Sequence, residues 1–193
     1  DRSPSRGLGD VYKRQVPKCS DIKSRMYIDI GNELDEDIRL SLPVISSPMD
    51  TVTETQMAIA MNKAGGLGII HRYNSIEEQV RILQDTLAEG VTHVAAAIGA
   101  TGDFEDRAIA LCHAGANILC IDVAHGHHCS VKNALETLKG IYGDAVHLMA
   151  GNVATLEGFN NLADWGADSI RVGIGGGSIC STRVKTGHGV PTF

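Results

Sequence analysis

The sequence predicts an α/β fold, an incomplete TIM (β/α)8 barrel with about six of eight βα units present. Three features predict it. Six short apolar runs are nearly continuous rather than alternating, as strands buried on both faces of a parallel sheet read. Amphipathic, helix-patterned stretches separate them. Gly65, Gly115 and Gly166 recur at spacings of 50 and 51 residues, each between a helix-patterned stretch and an apolar run. Two βα units of about 25 residues give that period, as eight units in a barrel of roughly 250 residues require.

The expected strands are 42–45, 67–70, 93–98, 118–121, 146–149 and 169–172. Thr53 with Gln56, and Ser75 with Glu78, have capping-box spacing. Ile76, Val80, Leu83 and Leu87 form the expected core stripe after Ser75; Val131, Ala134, Leu135 and Leu138 form another. A doubly wound sheet would carry its glycine-rich loop after the first strand. Here the first run is followed by Ser46-Ser47-Pro48-Met49-Asp50, and the glycine-rich loop follows the sixth. That order favours the barrel. Six strands leave an eight-stranded barrel open. Residues 16–193 are therefore expected to be the N-terminal part of a catalytic barrel in a longer protein, unable to turn over alone. Residues 1–15 lack apolar periodicity and resemble a translated sequencing-adapter tag, so they are expected to be a non-native tag or a disordered arm.

Charge and composition narrow the function. The chain has 193 residues, 17 basic against 23 acidic, and a net charge of −6. No basic block stands out, which disfavours nucleic-acid binding. No apolar run is long enough to span a membrane. Five cysteines (Cys19, Cys112, Cys120, Cys129 and Cys180) form no CxxC pair, which suits free thiols in a reducing cytoplasm.

In a barrel, chemistry sits where strands end and βα loops begin. The strongest such segment runs Arg171-Val172-Gly173-Ile174-Gly175-Gly176-Gly177-Ser178-Ile179-Cys180-Ser181-Thr182-Arg183. Its glycines let the backbone aim N–H groups at a phosphate or carbonyls at a monovalent cation. Cys180 follows on a loop, and a thiolate is both a strong nucleophile and a workable leaving group. A plain glycine-rich turn with an incidental cysteine is the competing reading. His125, His127, His128 and Cys129 crowd one short loop; four ligand types in five residues do not readily face one ion, so metal binding is disfavoured.

This loop resembles the active-site loop of IMP dehydrogenases and GMP reductases. Five other segments resemble the same family in the same order. They are Val16-Pro17-Lys18 with Ser20, residues 43–54 with Ser46-Ser47-Pro48-Met49-Asp50, residues 65–72 with His71-Arg72, residues 121–127 with Asp122-Val123-Ala124-His125, and residues 150–155 with Gly151-Asn152. The likeness covers residue 16 to about 191.

The resemblance implies roles. Cys180 would attack C2 of a purine nucleotide, IMP or GMP, and Thr182 would assist the water or ammonia step. Ser47, Met49, Asn152, Arg171, Gly177 and Ser178 would contact the nucleotide, Gly177 and Ser178 at its phosphate. Asp122, Val123, Ala124 and Gly173 would hold the nicotinamide cofactor, NAD or alternatively NADP, with Asp122 on its ribose. Gly173, Gly175 and Cys180 would offer carbonyls to K+. The full-length protein would be a homotetramer. Taken singly, Asp122 is equally a helix cap, Asn152 a loop-satisfying amide and Arg171 a surface ion pair.

The two activities share Cys180 chemistry. Ser46–Asp50, Gly65–Gly68 and Ala124-His125-Gly126 look like dehydrogenase text, whereas Arg183-Val184-Lys185-Thr186-Gly187 looks like a reductase. The expected function is NAD-dependent oxidation of IMP to XMP. A GMP reductase using NADPH is the first alternative, and a non-catalytic nucleotide-binding barrel the second. Gly176 stands where the family usually has Pro or Ser, and Ser181 where it has Thr or Ile. The helical pattern from Gln79 to Val91 runs on without the paired regulatory (CBS) domain that many dehydrogenases insert.

Overall fold

The computed structural model describes residues 19–177 and 180–190. Eight strands and six α-helices alternate along them. A short antiparallel pair, β1 (Asn32–Glu33) and β2 (Arg39–Leu40), comes first. Then follow β3 (Ile45–Ser46), α1 (Thr55–Lys63), β4 (Leu67–Ile70), α2 (Ile76–Ala88), β5 (Ala95–Ile98) and α3 (Phe104–His113). The rest are β6 (Ile118–Asp122), α4 (Cys129–Tyr142), β7 (His147–Val153), α5 (Leu156–Asp164), β8 (Ser169–Val172) and the short α6 (Thr182–Thr186).

Strands β3 to β8 form one sheet in sequential order, every neighbouring pair parallel. A doubly wound sheet reverses its strand order at a switch point; this one does not. The sheet curls into an incomplete TIM barrel, with helices outside.

The two faces of the strands bury different partners. Ile70, Ala96, Ile98, Leu119, Ile121, Leu148 and Ala150 pack outward against helix residues such as Leu83, Leu111, Leu135 and Leu162. Leu67, Ile69, Ala95, Ala97, Ile118, Cys120 and Met149 point inward, where Ile38 and Leu40 of the β1–β2 hairpin cover them. Burial on both faces explains the continuous apolar runs.

The repeated glycines close helices. Gly65, Gly115 and Gly166 have φ of +86°, +107° and +99°. The following amides reach back to Met61, Leu111 and Leu162 at 2.8, 2.9 and 3.0 Å. These are Schellman closures of α1, α3 and α5, and each aims the chain into the next strand.

Three local expectations shift. Strand β3 is Ile45–Ser46 rather than 42–45, because Pro43 has no N–H to donate. Strand β7 runs to Val153, four residues beyond the apolar run, because Gly151 and Val153 still pair with β8 across a bulge. Helix α2 buries Gln79, Ile82, Leu83 and Thr86, a stripe rotated from the purely apolar one. The Gln79 amide draws that face inward by donating to Ala97 O at 2.8 Å. The Ser75 cap forms, its hydroxyl accepting from Glu78 N at 3.2 Å. Thr53 caps nothing: it is fully buried and donates to Ser47 O at 2.7 Å, while Glu54 precedes α1. The α4 stripe of Val131, Ala134, Leu135 and Leu138 is buried as expected.

The α1–β4 contact leaves no room for a side chain at Gly68. A Cβ there would lie 2.7 Å from Ala58 Cα and 3.0 Å from its Cβ. Gly68→Ala should cost about 1–3 kcal/mol by prising α1 off the sheet. Urea denaturation checks this; an unchanged midpoint would show that α1 yields freely.

Candidate functional site

The site forms at the C-terminal ends of β4, β6, β7 and β8. A cleft of about 410 Å³ is lined there by Arg72, Tyr73, Asp122, Val123, Ala124, Asn152, Gly173, Ile174, Gly175, Cys180 and Thr182. Eight residues singled out from the sequence therefore meet in one place: Asp122, Val123, Ala124, Asn152, Gly173, Gly175, Cys180 and Thr182.

Each arrives there for a local reason. The bulge between Gly151 and Val153 takes Asn152 out of the β7–β8 ladder. Its Nδ2 then donates to Gly173 O at 2.8 Å, and its backbone ties to Val123 and Gly126 at 3.0 and 2.7 Å. One residue thus binds the ends of three βα units together. Gly151 fits because a Cβ there would lie 2.7 Å from Arg171 Cβ. Asp122 ends β6, its carboxylate paired with Arg171 Nη1. Its backbone carbonyl accepts from Arg72 Nη2 at 3.2 Å.

Arg171 does not line the cleft. It is partly buried beside it, paired with Asp122 and 3.8 Å from Cys120 Sγ. Burial works against its charge, but Cys120 and Asp122 outweigh that and raise its pKa. Ser47 and Met49 also stand outside the cleft lining. Ser47 O serves the turn into α1, and Met49 is 51% exposed. Gly177 lies behind Cys180, its carbonyl accepting from Cys180 N at 3.1 Å and Arg183 Nη2 at 2.9 Å. Ser178 lies outside the described residues.

Arg72, Tyr73 and Ile174 line the cleft without a role assigned from the sequence. For Arg72 the available signal was a charged side chain two residues past a buried strand. A second hollow of about 500 Å³ borders the first and shares Ala124, Ile174 and Thr182 with it. His125, His127 and His188 line it. His127 Nε2 accepts from Asn161 Nδ2 at 2.8 Å, and its ring packs against Trp165. Among the described residues no group of three His, Cys, Asp or Glu is placed to hold a metal ion.

The cysteines differ electrostatically. Burial pushes the Cys120 thiol up to about 12 and raises that of Cys112. Cys180 moves the other way. The Thr182 hydroxyl and amide hydrogen-bond its sulfur, Arg183 adds attraction, and its pKa falls below the usual thiol value. A lowered pKa keeps thiolate present at lower pH, so alkylation of Cys180 should reach half its maximum below the ordinary thiol value of about 8.5. Thr182→Val should move that midpoint upward. Iodoacetamide labelling followed peptide by peptide reads it; a Cys180 midpoint matching exposed Cys129 would remove the argument for activation.

At about 410 Å³ the cleft has the size of a small-molecule site, and Asp122 presents in it a carboxylate that only accepts hydrogen bonds. Of the carbonyls expected to face K+, those of Gly173, Gly175 and Cys180, that of Gly173 accepts from Asn152 Nδ2 at 2.8 Å.

The sequence model of the IMP dehydrogenase / GMP reductase domain matches residues 10–193. The chain belongs to that family. Inosine-5′-monophosphate dehydrogenase of Cryptosporidium parvum is 34% identical over 91% of this chain and 53% of its own length. GMP reductase of Buchnera aphidicola subsp. Acyrthosiphon pisum (strain Tuc7) is 35% identical over 96% of this chain and 54% of its own length. Inosine-5′-monophosphate dehydrogenase of Nitrosopumilus maritimus is 28% identical over 91% of this chain and 63% of its own. The chain thus spans between half and two thirds of these relatives. Among the described residues no helix is long and apolar enough to cross a membrane.

Proposed function

We propose that the whole protein is a purine-nucleotide oxidoreductase that oxidises IMP to XMP with NAD, using Cys180 as the nucleophile. The observation that carries this is the placement of a thiol of lowered pKa in one cleft with Asp122, Asn152 and Thr182. Cys180 Sγ attacks C2 of the purine as thiolate. The C2 hydrogen leaves with its electron pair, and NAD bound in the cleft supplies the acceptor for it. The resulting thioimidate takes up water at C2; the C–S bond then breaks, releasing XMP, the thiolate and one proton. Asp122 orients the ribose of the cofactor, and Arg171 holds the Asp122 carboxylate in place. Asn152 fixes the three loops that shape the cleft, and Thr182 hydrogen-bonds the sulfur. Ser47, Met49 and the Gly177–Ser178 segment bind the nucleotide once the rest of the barrel is in place. The full-length protein is a homotetramer in the cytoplasm; light scattering of that protein checks the tetramer.

A GMP reductase is the second reading. Residues 183–187 favour it, and so does the Buchnera relative, which aligns over 191 positions against the 299 of the Nitrosopumilus dehydrogenase. Nicotinamide absorbance decides. The chain, extended through the rest of its barrel, should gain absorbance with IMP plus NAD. A loss with GMP plus NADPH alone makes it a reductase, and silence in both leaves a nucleotide-binding barrel.

A further inference from the structure

The opposite end of the barrel carries a polar cluster that the proposed chemistry does not use. His147 opens β7 and Ser169 opens β8, while Asp35 sits in the turn between β1 and β2. His147 Nδ1 pairs with Asp35 Oδ2, and His147 Nε2 lies 2.8 Å from Ser169 Oγ. The other Asp35 oxygen accepts the Asp37 and Ile38 amides at 2.9 and 2.8 Å. The order Asp–His–Ser is that of a hydrolytic triad. Yet the His147 side chain, which would be the base of such a triad, is only 2% exposed. The contacts of the cluster serve another end.

That end is mechanical. The hairpin buries Ile38 and Leu40 against the inward faces of β4 to β7, plugging the N-terminal mouth of the barrel. We propose that Asp35, His147 and Ser169 form a latch holding this plug, and that acid opens it at Asp35.

The donor and acceptor inventory gives the reason. A carboxylate only accepts, so Nδ1 must carry the proton that binds Asp35. In the neutral ring Nε2 then accepts from the Ser169 hydroxyl. When the ring takes a second proton, Nε2 donates and the hydroxyl turns to accept. Either form of the His147 ring is fully partnered by Asp35 and Ser169. Protonating Asp35 removes the ionic acceptor. Partial burial works against the Asp35 charge, but hydrogen bonds from His147 and the Asp37 and Ile38 amides outweigh it and hold the carboxyl below its usual range. A depressed carboxyl contributes stability above its unfolded value of about 3.9 and loses it as pH falls through the folded value. Other charges near this end are already matched. Asp168 takes Leu148 N and Lys139, each at 2.8 Å, and Asp144 also pairs with Lys139. Arg39 pairs with Asp29 and Glu33 on the hairpin. Asn117 O accepts from His147 N at 3.0 Å.

Hydrogen exchange on the full 193-residue chain tests this, read by mass spectrometry and corrected for chemical exchange at each pH. Hairpin peptides covering 31–41 should keep their protection from pH 8 down to the ordinary carboxylate value of about 3.9 and lose it as pH falls below that, before the β6 peptides do. Asp35→Asn should abolish the acid step and lower hairpin protection at pH 7 by about tenfold. An acid step that persists in Asp35→Asn, or hairpin and β6 peptides opening together at every pH, overturns the latch.

Discussion

Cys180→Ser, made in the chain extended through the rest of its barrel, lowers turnover by about a thousandfold or more, roughly 4 kcal/mol in activation free energy. Serine keeps the shape and a hydroxyl, but its alkoxide is unavailable near neutral pH. The covalent step therefore fails while nucleotide binding persists. Steady-state turnover and nucleotide binding, measured side by side, separate the two. Cys129→Ser is the control, since Cys129 is exposed and outside the cleft. Turnover within tenfold of the unsubstituted enzyme would refute the nucleophile assignment and favour an unrelated barrel chemistry.

Arg107→Met gives the largest stability change expected outside the apolar core. The Arg107 side chain is 8% exposed and bridges three elements. It donates to Asp103 at 2.7 Å, to Gln79 Oε1 at 2.8 Å and to Asn74 O at 3.1 Å. Gln79 in turn holds Ala97 O on β5. Methionine keeps much of the volume but strands the Gln79 oxygen, which is fully buried. Asp103 is half-exposed and rehydrates, so the cost falls below that of a fully buried pair, about 2–3 kcal/mol. Thermal melting should drop by roughly 5–10 °C. The charge adds a pH signature. The Arg107 hydrogen bond holds the Asp103 carboxyl below its usual value. Its contribution is therefore present above the ordinary carboxylate range and lost as pH falls through the lowered value. In Arg107→Met that acid-side slope should flatten. Urea midpoints at pH 7 and pH 4 read both effects. A loss under 0.5 kcal/mol would mean that water replaces the guanidinium.

Much of this was legible in the chain itself. Strands buried on both faces cannot hide their composition, so 67–70 matched residue for residue; 169–172 matched too, although that strand is only partly buried. The closing glycines stood out because only glycine adopts their positive φ without strain. The α4 stripe was legible because its buried face is wholly apolar. Helix α2 was harder to read: Gln79 and Thr86 are buried because of what they hydrogen-bond to, and those partners lie on other elements. The β1–β2 hairpin left only the short alternation Ile38-Arg39-Leu40, since its pairing rests on the Asp35 turn and on those two apolar residues facing a distant sheet.

The site divides along the same line. Local sequence determined which residues stand at strand ends and which loop carries a thiol among glycines, because strand ends and turn glycines are matters of local backbone chemistry. Tertiary structure decided how they relate. It set Asp122 against Arg171, brought Arg72 onto the Asp122 carbonyl, and used the β7 bulge to tie Asn152 to the Gly173 loop. It also left Ser47 and Met49 outside the cleft lining. These are contacts between residues 20 to 50 positions apart, made only when successive βα units curl side by side, and no local pattern encodes that curl.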